Sequence, residues 1–290
     1  MTDAPRLDHV QCLGNRGLHR MAYWEWGDAG NPRVLVCVHG LTRQGRDFDT
    51  LARALCSQYR VVCPDVVGRG VSDRLADPMG YGVPQYVADM VTLLARLNAE
   101  TVDWVGTSMG GLIGLGVAAL DGSPLRRLVL NDVGPTIEPE SLQRIGTYLG
   151  VPMRWRTLDE AADAMQAISH GFGPHSREQW LALCRPQLTT DAEGWLVPRY
   201  DPRIAMPFKA VTPELAKAGE ALLWQAWDRL RIPTLLLRGK DSDLLSHATA
   251  QAMCERGPRA RLVEFDGVGH APTLVLEPQI AAVREFLLSP

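Results

Sequence analysis

No apolar run in this sequence approaches the roughly 20 residues that a membrane-spanning helix needs. The opening stretch, MTDAPRLDHVQCLGNRGLHR, also lacks the apolar core of a secretory signal. A basic excess is missing too: 30 Lys and Arg stand against 33 Asp and Glu, for a formal net charge of −3. With no basic face, the chain is not expected to bind nucleic acid or a membrane. Cysteine is sparse, and none of Cys12, Cys37, Cys56, Cys63, Cys184 and Cys254 forms a CxxC pair. They read as reduced, mostly buried thiols in a cytoplasmic protein rather than a disulfide or zinc framework. Internal repeats and low-complexity segments are absent. What remains is a 290-residue globular chain, 46% hydrophobic and 22% charged, long enough to bury a large core.

Apolar runs alternate with helical stretches. Strands are expected at Arg33–His39, Tyr59–Asp65, Thr101–Gly106, Leu125–Asp132, Pro233–Gly239 and Ala260–Gly267, with Met21–Trp26 as an antiparallel edge strand. Helices are expected at Phe48–Ser57, Pro84–Leu97, His247–Glu255 and Thr273–Leu288. This order predicts an α/β fold with a mostly parallel central sheet flanked by helices. Between Asp132 and Pro233 the rhythm breaks: helical patches at Leu158–Ser169 and Pro213–Leu230 alternate with Gly- and Pro-rich loops, and no well-buried strand is expected. Residues 135–231 therefore read as a helical cap inserted into a core made of 1–134 and 232–290. Such an insertion would sit over the carboxyl ends of the strands, where open α/β sheets bind ligands.

The segment VGTSMGG carries the chemistry. Gly106-Thr107-Ser108-Met109-Gly110 matches G-x-S-x-G, with a strand before it and a helix after it. A sharp turn of this kind needs glycine where a side chain would strike neighbouring backbone, at Gly106 and Gly110. It leaves the Ser108 hydroxyl exposed above the sheet as a nucleophile. The Met109 amide opens the following helix, where free N–H groups favour a developing negative charge. A second amide for that charge is expected from Leu41, after His39-Gly40 at the end of a strand. His39 itself reads as structural.

Serine needs a base, and the base needs an acid to orient it. His270, on a Gly-flanked loop after the last strand, is the expected base. His170 and His175 flank a loop in the insertion with no ligand cluster to make a metal site of them. In this architecture the acid comes between serine and histidine in the chain. Asp243, Asp241 and Asp132 all lie at or just past strand ends in that interval. Asp243 is the preferred choice, because the following Leu-Leu-Ser can pack down and fix its loop.

The stretches CVHGLTRQGRDFD, PDVVGRGVSDR, VGTSMGGLIG, LRGKDSDLLS and DGVGHAP come in an order that resembles the α/β-hydrolase superfamily over almost the whole chain. In relatives, the D-x-x-G-x-G-x-S pattern matched by Asp65, Gly68, Gly70 and Ser72 is a structural turn. Carried over residue by residue, the family triad falls on Ser108, Asp243 and His270. Many relatives hold the acid where Ser242 stands here, and some take it from the strand before the cap, which keeps Asp132 open.

The resemblance implies acyl transfer to water on an ester, lactone or thioester of a small, largely apolar substrate, through an acyl-serine and without metal or cofactor. Carbon–carbon bond hydrolysis of a vinylogous diketone would use the same triad, and a ligand-binding receptor would use the same scaffold. Trp155, Phe172, Trp195 and Phe208 are candidate pocket walls. Arg43 and Arg46 are solvated loop charges or contacts for a substrate carboxylate. The oligomeric state is not legible in the sequence.

Overall fold

The computed structural model describes residues 4–289. An eight-stranded sheet forms its centre. Its strands are β1 (Arg6–Gly14), β2 (Gly17–Trp26), β3 (Val34–Val38), β4 (Arg60–Pro64), β5 (Val102–Thr107), β6 (Leu125–Asn131), β9 (Thr234–Gly239) and β10 (Arg261–Phe265). Their order across the sheet is β1-β2-β4-β3-β5-β6-β9-β10. β2 pairs antiparallel with β1 and β4, and every later pairing is parallel. The central strands are rich in apolar residues, as strands covered on both faces are, and in β3 Val34–Val38 is buried at every position.

Helices α1 (Asp49–Leu55) and α10 (Glu277–Leu288) cover one face, and their leucines, Val283 and Phe286 pack on Leu35, Val105, Val129 and Leu237. Helices α2 (Val83–Leu97), α3 (Met109–Ala118) and α9 (His247–Glu255) cover the other, around Val36, Trp104, Leu128 and Leu236. Period-2 burial places alternate residues of one strand in these two separate cores.

The seven strands expected from sequence are all present, with ends shifted by a residue or a few. β1 was not expected: its residues alternate between exposed and buried, so it lacks the continuous apolar signature of the inner strands. The last helix starts at Glu277 rather than Thr273, with a proline in its first turn.

Between β6 and β9 lie α4 (Pro139–Tyr148), α5 (Leu158–Ile168), α6 (Arg177–Cys184), α7 (Ala205–Lys209) and α8 (Pro213–Arg229). They are accompanied by a small antiparallel hairpin, β7 (Leu188–Thr190) with β8 (Leu196–Pro198). Capping boxes at Thr157/Glu160 and Ser176/Gln179 start α5 and α6. These two helices enclose their own small apolar cluster around Ala162, Met165, Trp180 and Leu183.

Candidate active site

β5 ends in the sharp turn that Ser108 occupies at φ 52°, ψ −119°, and α3 begins at the next residue. The turn is possible because two glycines leave room for backbone. A Cβ on Gly106 would lie 2.2 Å from the Gly110 carbonyl oxygen, and one on Gly110 would lie 1.9 Å from that of Val38. Trp104 braces the turn from below, its indole N–H donating to the Gly110 carbonyl at 3.1 Å.

The loop after β10 brings His270 to this serine. Its Nε2 is 3.0 Å from Ser108 Oγ, and its Nδ1 is 2.7 Å from Asp132 Oδ2. Asp132 follows β6 in the left-handed region, at φ 57°, and its carboxylate is completely buried. Both of its oxygens are held. Oδ1 accepts from the Gly239 amide at 2.9 Å, and Oδ2 accepts from Ser242 Oγ at 2.6 Å as well as facing the imidazole. Ser242 Oγ in turn accepts from the amides of Leu244 and Leu245, so its own proton points to Asp132.

The structure does not bring Asp243 to His270. Its carboxylate turns outward to Arg144 of α4, with contacts of 2.5 and 2.9 Å, and 42% of its side chain is exposed. Burial pushes its pKa up, but the hydrogen bonds and charge of Arg144 outweigh this and the net shift is downward. The residue expected to be packed down by Leu244-Leu245 is instead Ser242, one position earlier. Asp241 is exposed.

The loop bearing His270 is clamped from two sides. From the sheet, Asn131 Nδ2 donates to the Pro272 carbonyl at 2.7 Å and to Thr107 Oγ1 at 3.0 Å. From the insertion, the Gly171 carbonyl accepts from the Gly269 amide at 2.6 Å, and His175 Nε2 is 2.8 Å from Thr273 Oγ1. His175 thus ties insertion to core. The sequence carried no sign of Asn131, Ser242 or His175 in these roles, because their partners are distant in the chain.

Leu41 and Met109 are the expected donors to a negative oxygen, and Met109 directly follows the serine. Met109 is the first residue of α3, and Gly40, just before Leu41, approaches the serine so closely that a Cβ on it would be 3.7 Å from Ser108 Cβ. His39 is fully buried, with Nδ1 donating to the Gly40 carbonyl at 2.7 Å and Nε2 accepting from the Val66 amide at 3.0 Å. Burial pushes its pKa down to about 3, so it is a neutral brace for this loop. Asp65 organises the neighbouring turn by accepting the Gly45 and Val71 amides.

Arg43 and Arg46 are not solvated loop charges. Each makes a bidentate pair within the same turn, with Asp47 and Asp49 respectively. An apolar cavity of about 70 Å³ opens beside Arg43, with Tyr148, Trp155, Met165, Ile168 and Tyr200 among its walls. Of the aromatic side chains proposed for such a wall, only Trp155 is there. Phe172 stacks on Trp180, Trp195 lies under Arg154 and Arg156, and Phe208 packs against the main core. A second cavity of about 270 Å³ reaches His270 from the side of Arg144 and His170. Among the described residues, Cys12, His19 and Asp89 place ligand-type atoms within 4.8 Å of one another, but the Asp89 carboxylate is already taken by His19 and Gln85. No helix among the described residues is long and apolar enough to cross a membrane.

A strand-turn-helix serine faced by a histidine from the last loop, on a sheet of this order, defines a hydrolase class. The chain belongs to the alpha/beta hydrolase family, whose profile matches residues 35–283. It is 56% identical, over 99% of both chains, to a 3-hydroxybutyrate-oligomer hydrolase of Cupriavidus necator. The structure superposes on an alpha/beta hydrolase from Novosphingobium aromaticivorans with a TM-score of 0.86, at 36% identity and over 99% of both chains. A pimeloyl-[acyl-carrier protein] methyl ester esterase of Xanthomonas campestris is 27% identical over 89% of this chain and 96% of its own. The chain is a hydrolase acting on ester bonds.

Proposed function

We propose that this protein is a serine hydrolase of short hydroxyacid oligoesters of the 3-hydroxybutyrate type, with Ser108, His270 and Asp132 as its triad. The observation that carries this reading is the unbroken relay from Ser108 Oγ through the imidazole to Asp132. The near-full-length similarity to an oligoester hydrolase supplies the substrate class.

The geometry supports one sequence of events. His270 Nε2 takes the Ser108 proton as Oγ bonds to the ester carbonyl carbon, and the carbonyl oxygen becomes an oxyanion between the Leu41 and Met109 amides. The imidazolium then gives its proton to the leaving alkoxide as the ester C–O bond breaks, leaving an acyl-serine and a free alcohol. Water, deprotonated by His270, attacks the acyl-serine; collapse releases the acid and returns the proton to Ser108. Asp132 keeps Nδ1 protonated and stabilises the imidazolium in both halves. Water is the second nucleophile, so the cycle as written calls for no cofactor.

Residues 135–231 act as a cap, with α4 and α5 supplying walls of both cavities and α6 a wall of the one beside Arg43. A cytoplasmic location fits six free cysteines, four of them buried. Incubating purified protein with dimers and trimers of 3-hydroxybutyrate and measuring released monomer tests the reading. The expected result is monomer release that Ser108→Ala abolishes. Intact oligomers with wild-type protein, or turnover by the alanine variant, would overturn it.

A further inference from the structure

The G-x-G turn after β4 holds a buried cation that the triad does not use. Arg69, between Gly68 and Gly70, is 1% exposed. Its guanidinium makes four contacts with neutral groups. Nε donates to the Leu41 carbonyl at 2.8 Å, and one terminal nitrogen donates to the Val67 carbonyl at 2.8 Å and to Tyr86 Oη at 2.9 Å. The other terminal nitrogen lies 3.7 Å from Met109 Sδ. The faces of Tyr86 and Tyr81 lie 5.0 and 5.7 Å from its central carbon. No carboxylate among the described residues pairs with it.

A buried charge without a counter-ion is costly, and buried arginines are ordinarily paired. Arg43, two residues beyond Leu41, is paired in that way, its charge cancelled by Asp47. Around Arg69, carbonyls, a phenol, a thioether and two aromatic faces hold the ion without cancelling its field. The two residues it reaches, Leu41 and Met109, are those whose amides the proposed mechanism assigns to the oxyanion. Burial also closes it to direct contact with substrate.

We infer that Arg69 is a positioning residue for the oxyanion site: it fixes the Leu41 peptide and sets an uncancelled positive charge behind both oxyanion donors. The inference rests on the serine mechanism proposed above. A neutral ester gains little from such a charge, and the tetrahedral oxyanion gains much. The interaction therefore belongs to the transition state and shows in kcat rather than KM.

The test compares Arg69→Gln, Arg69→Lys and Ser108→Ala with wild type, using p-nitrophenyl butyrate for turnover and butylboronic acid as a tetrahedral, anionic adduct of the serine. Arg69→Gln should lower kcat about 30-fold with KM within about twofold, and should weaken boronate inhibition by a similar factor. Arg69→Lys, which keeps the charge, should recover most of that loss. Wild-type kcat in Arg69→Gln beside an inactive Ser108→Ala would overturn the inference and leave the serine mechanism standing. So would equal losses in both Arg69 variants with unchanged boronate affinity, since that pattern reports packing alone. An active Ser108→Ala would overturn the underlying mechanism instead. If Arg69→Gln fails to fold, Tyr86→Glu reads the same charge, because it leaves Arg69 in place and sets a carboxylate beside it. A drop in kcat at steady KM is expected there, and wild-type turnover by the folded variant would overturn the inference.

Discussion

Asp132 Oδ2 lies 2.7 Å from His270 Nδ1, although Asp132 follows the inner strand β6 and His270 the edge strand β10, 138 positions apart in the chain. Asp243, in the loop after β9, has Arg144 as its partner instead. Replacing Asp132 by asparagine keeps the size but presents the wrong group to Nδ1. Turnover should fall by up to about 10⁴-fold while the protein stays folded. Asp243→Asn breaks only a surface pair and should cost about 1 kcal/mol of stability or less, with turnover near wild type. Steady-state kinetics and melting curves of both variants check this, and a more damaged Asp243→Asn would return the acid to the loop after β9.

Ser242 donates to the same oxygen that faces the imidazole, so it controls where the carboxylate sits. Ser242→Ala removes that bond and also strips an acceptor from the Leu244 and Leu245 amides. Loss of a hydrogen bond to a charged group, at roughly 1.5–3 kcal/mol, corresponds to a fall in kcat of about tenfold or more. Ser242→Thr, which keeps the hydroxyl, should restore part of it. Equal kcat in wild type and Ser242→Ala would show that Gly239 alone holds the acid.

Ser108 and His270 act as one unit in the proposed mechanism. Each alanine variant should lose nearly all ester turnover, and the double variant should be little worse than either. A fluorophosphonate probe should label wild-type protein at Ser108. Losses that multiply in the double variant would mean that His270 is not the base.

Gly110 faces backbone that cannot move aside, because Val38 belongs to a central strand. Gly110→Ala should destabilise the fold by more than the roughly 1 kcal/mol typical of single substitutions. The same change at Gly122, where φ is +74° but a Cβ would meet nothing within 4 Å, should cost clearly less. Urea unfolding of the two variants decides this, and comparable stabilities would show that the elbow yields more easily than its contacts suggest.

His39 gives the fold an acid limit. It is neutral when folded, with a pKa pushed down to about 3 by burial, while the unfolded chain has the ordinary value of 6.5. Below pH 6.5 the unfolded chain therefore binds the proton that the folded chain refuses. This contribution to stability is complete above pH 6.5 and is lost as pH falls toward 3, at up to about 1.4 kcal/mol per pH unit. Urea unfolding from pH 7 to pH 4 should show this slope in wild type. His39→Gln should flatten it by about one proton, and an unchanged slope in that variant would place the acid sensitivity elsewhere.

Seven of the eight sheet strands, the glycine-flanked turn at Ser108 and the histidine that faces it were legible in the sequence. Each of these signals is local. A continuous apolar run marks a strand covered on both faces, and G-x-S-x-G reports a backbone turn that glycine alone permits. A histidine on a Gly-flanked loop after the last strand can reach only one end of the sheet. β1 escaped because its exposed residues interrupt the apolar run. Which aspartate faces His270 was decided by tertiary structure: three aspartates stood at strand ends, and the local argument, that the Leu-Leu-Ser after it would fix the loop, favoured Asp243. β6 and β9 lie side by side, so the loops after them compete for the same space above the sheet. There Ser242 turns inward, Asp243 turns outward to an arginine of the insertion, and Asp132 takes the place beside the imidazole. The clamps on the His270 loop from Asn131 and His175, and the uncancelled charge of Arg69 behind Leu41 and Met109, were hidden for the same reason: each joins residues whose separation along the chain leaves no pattern to read.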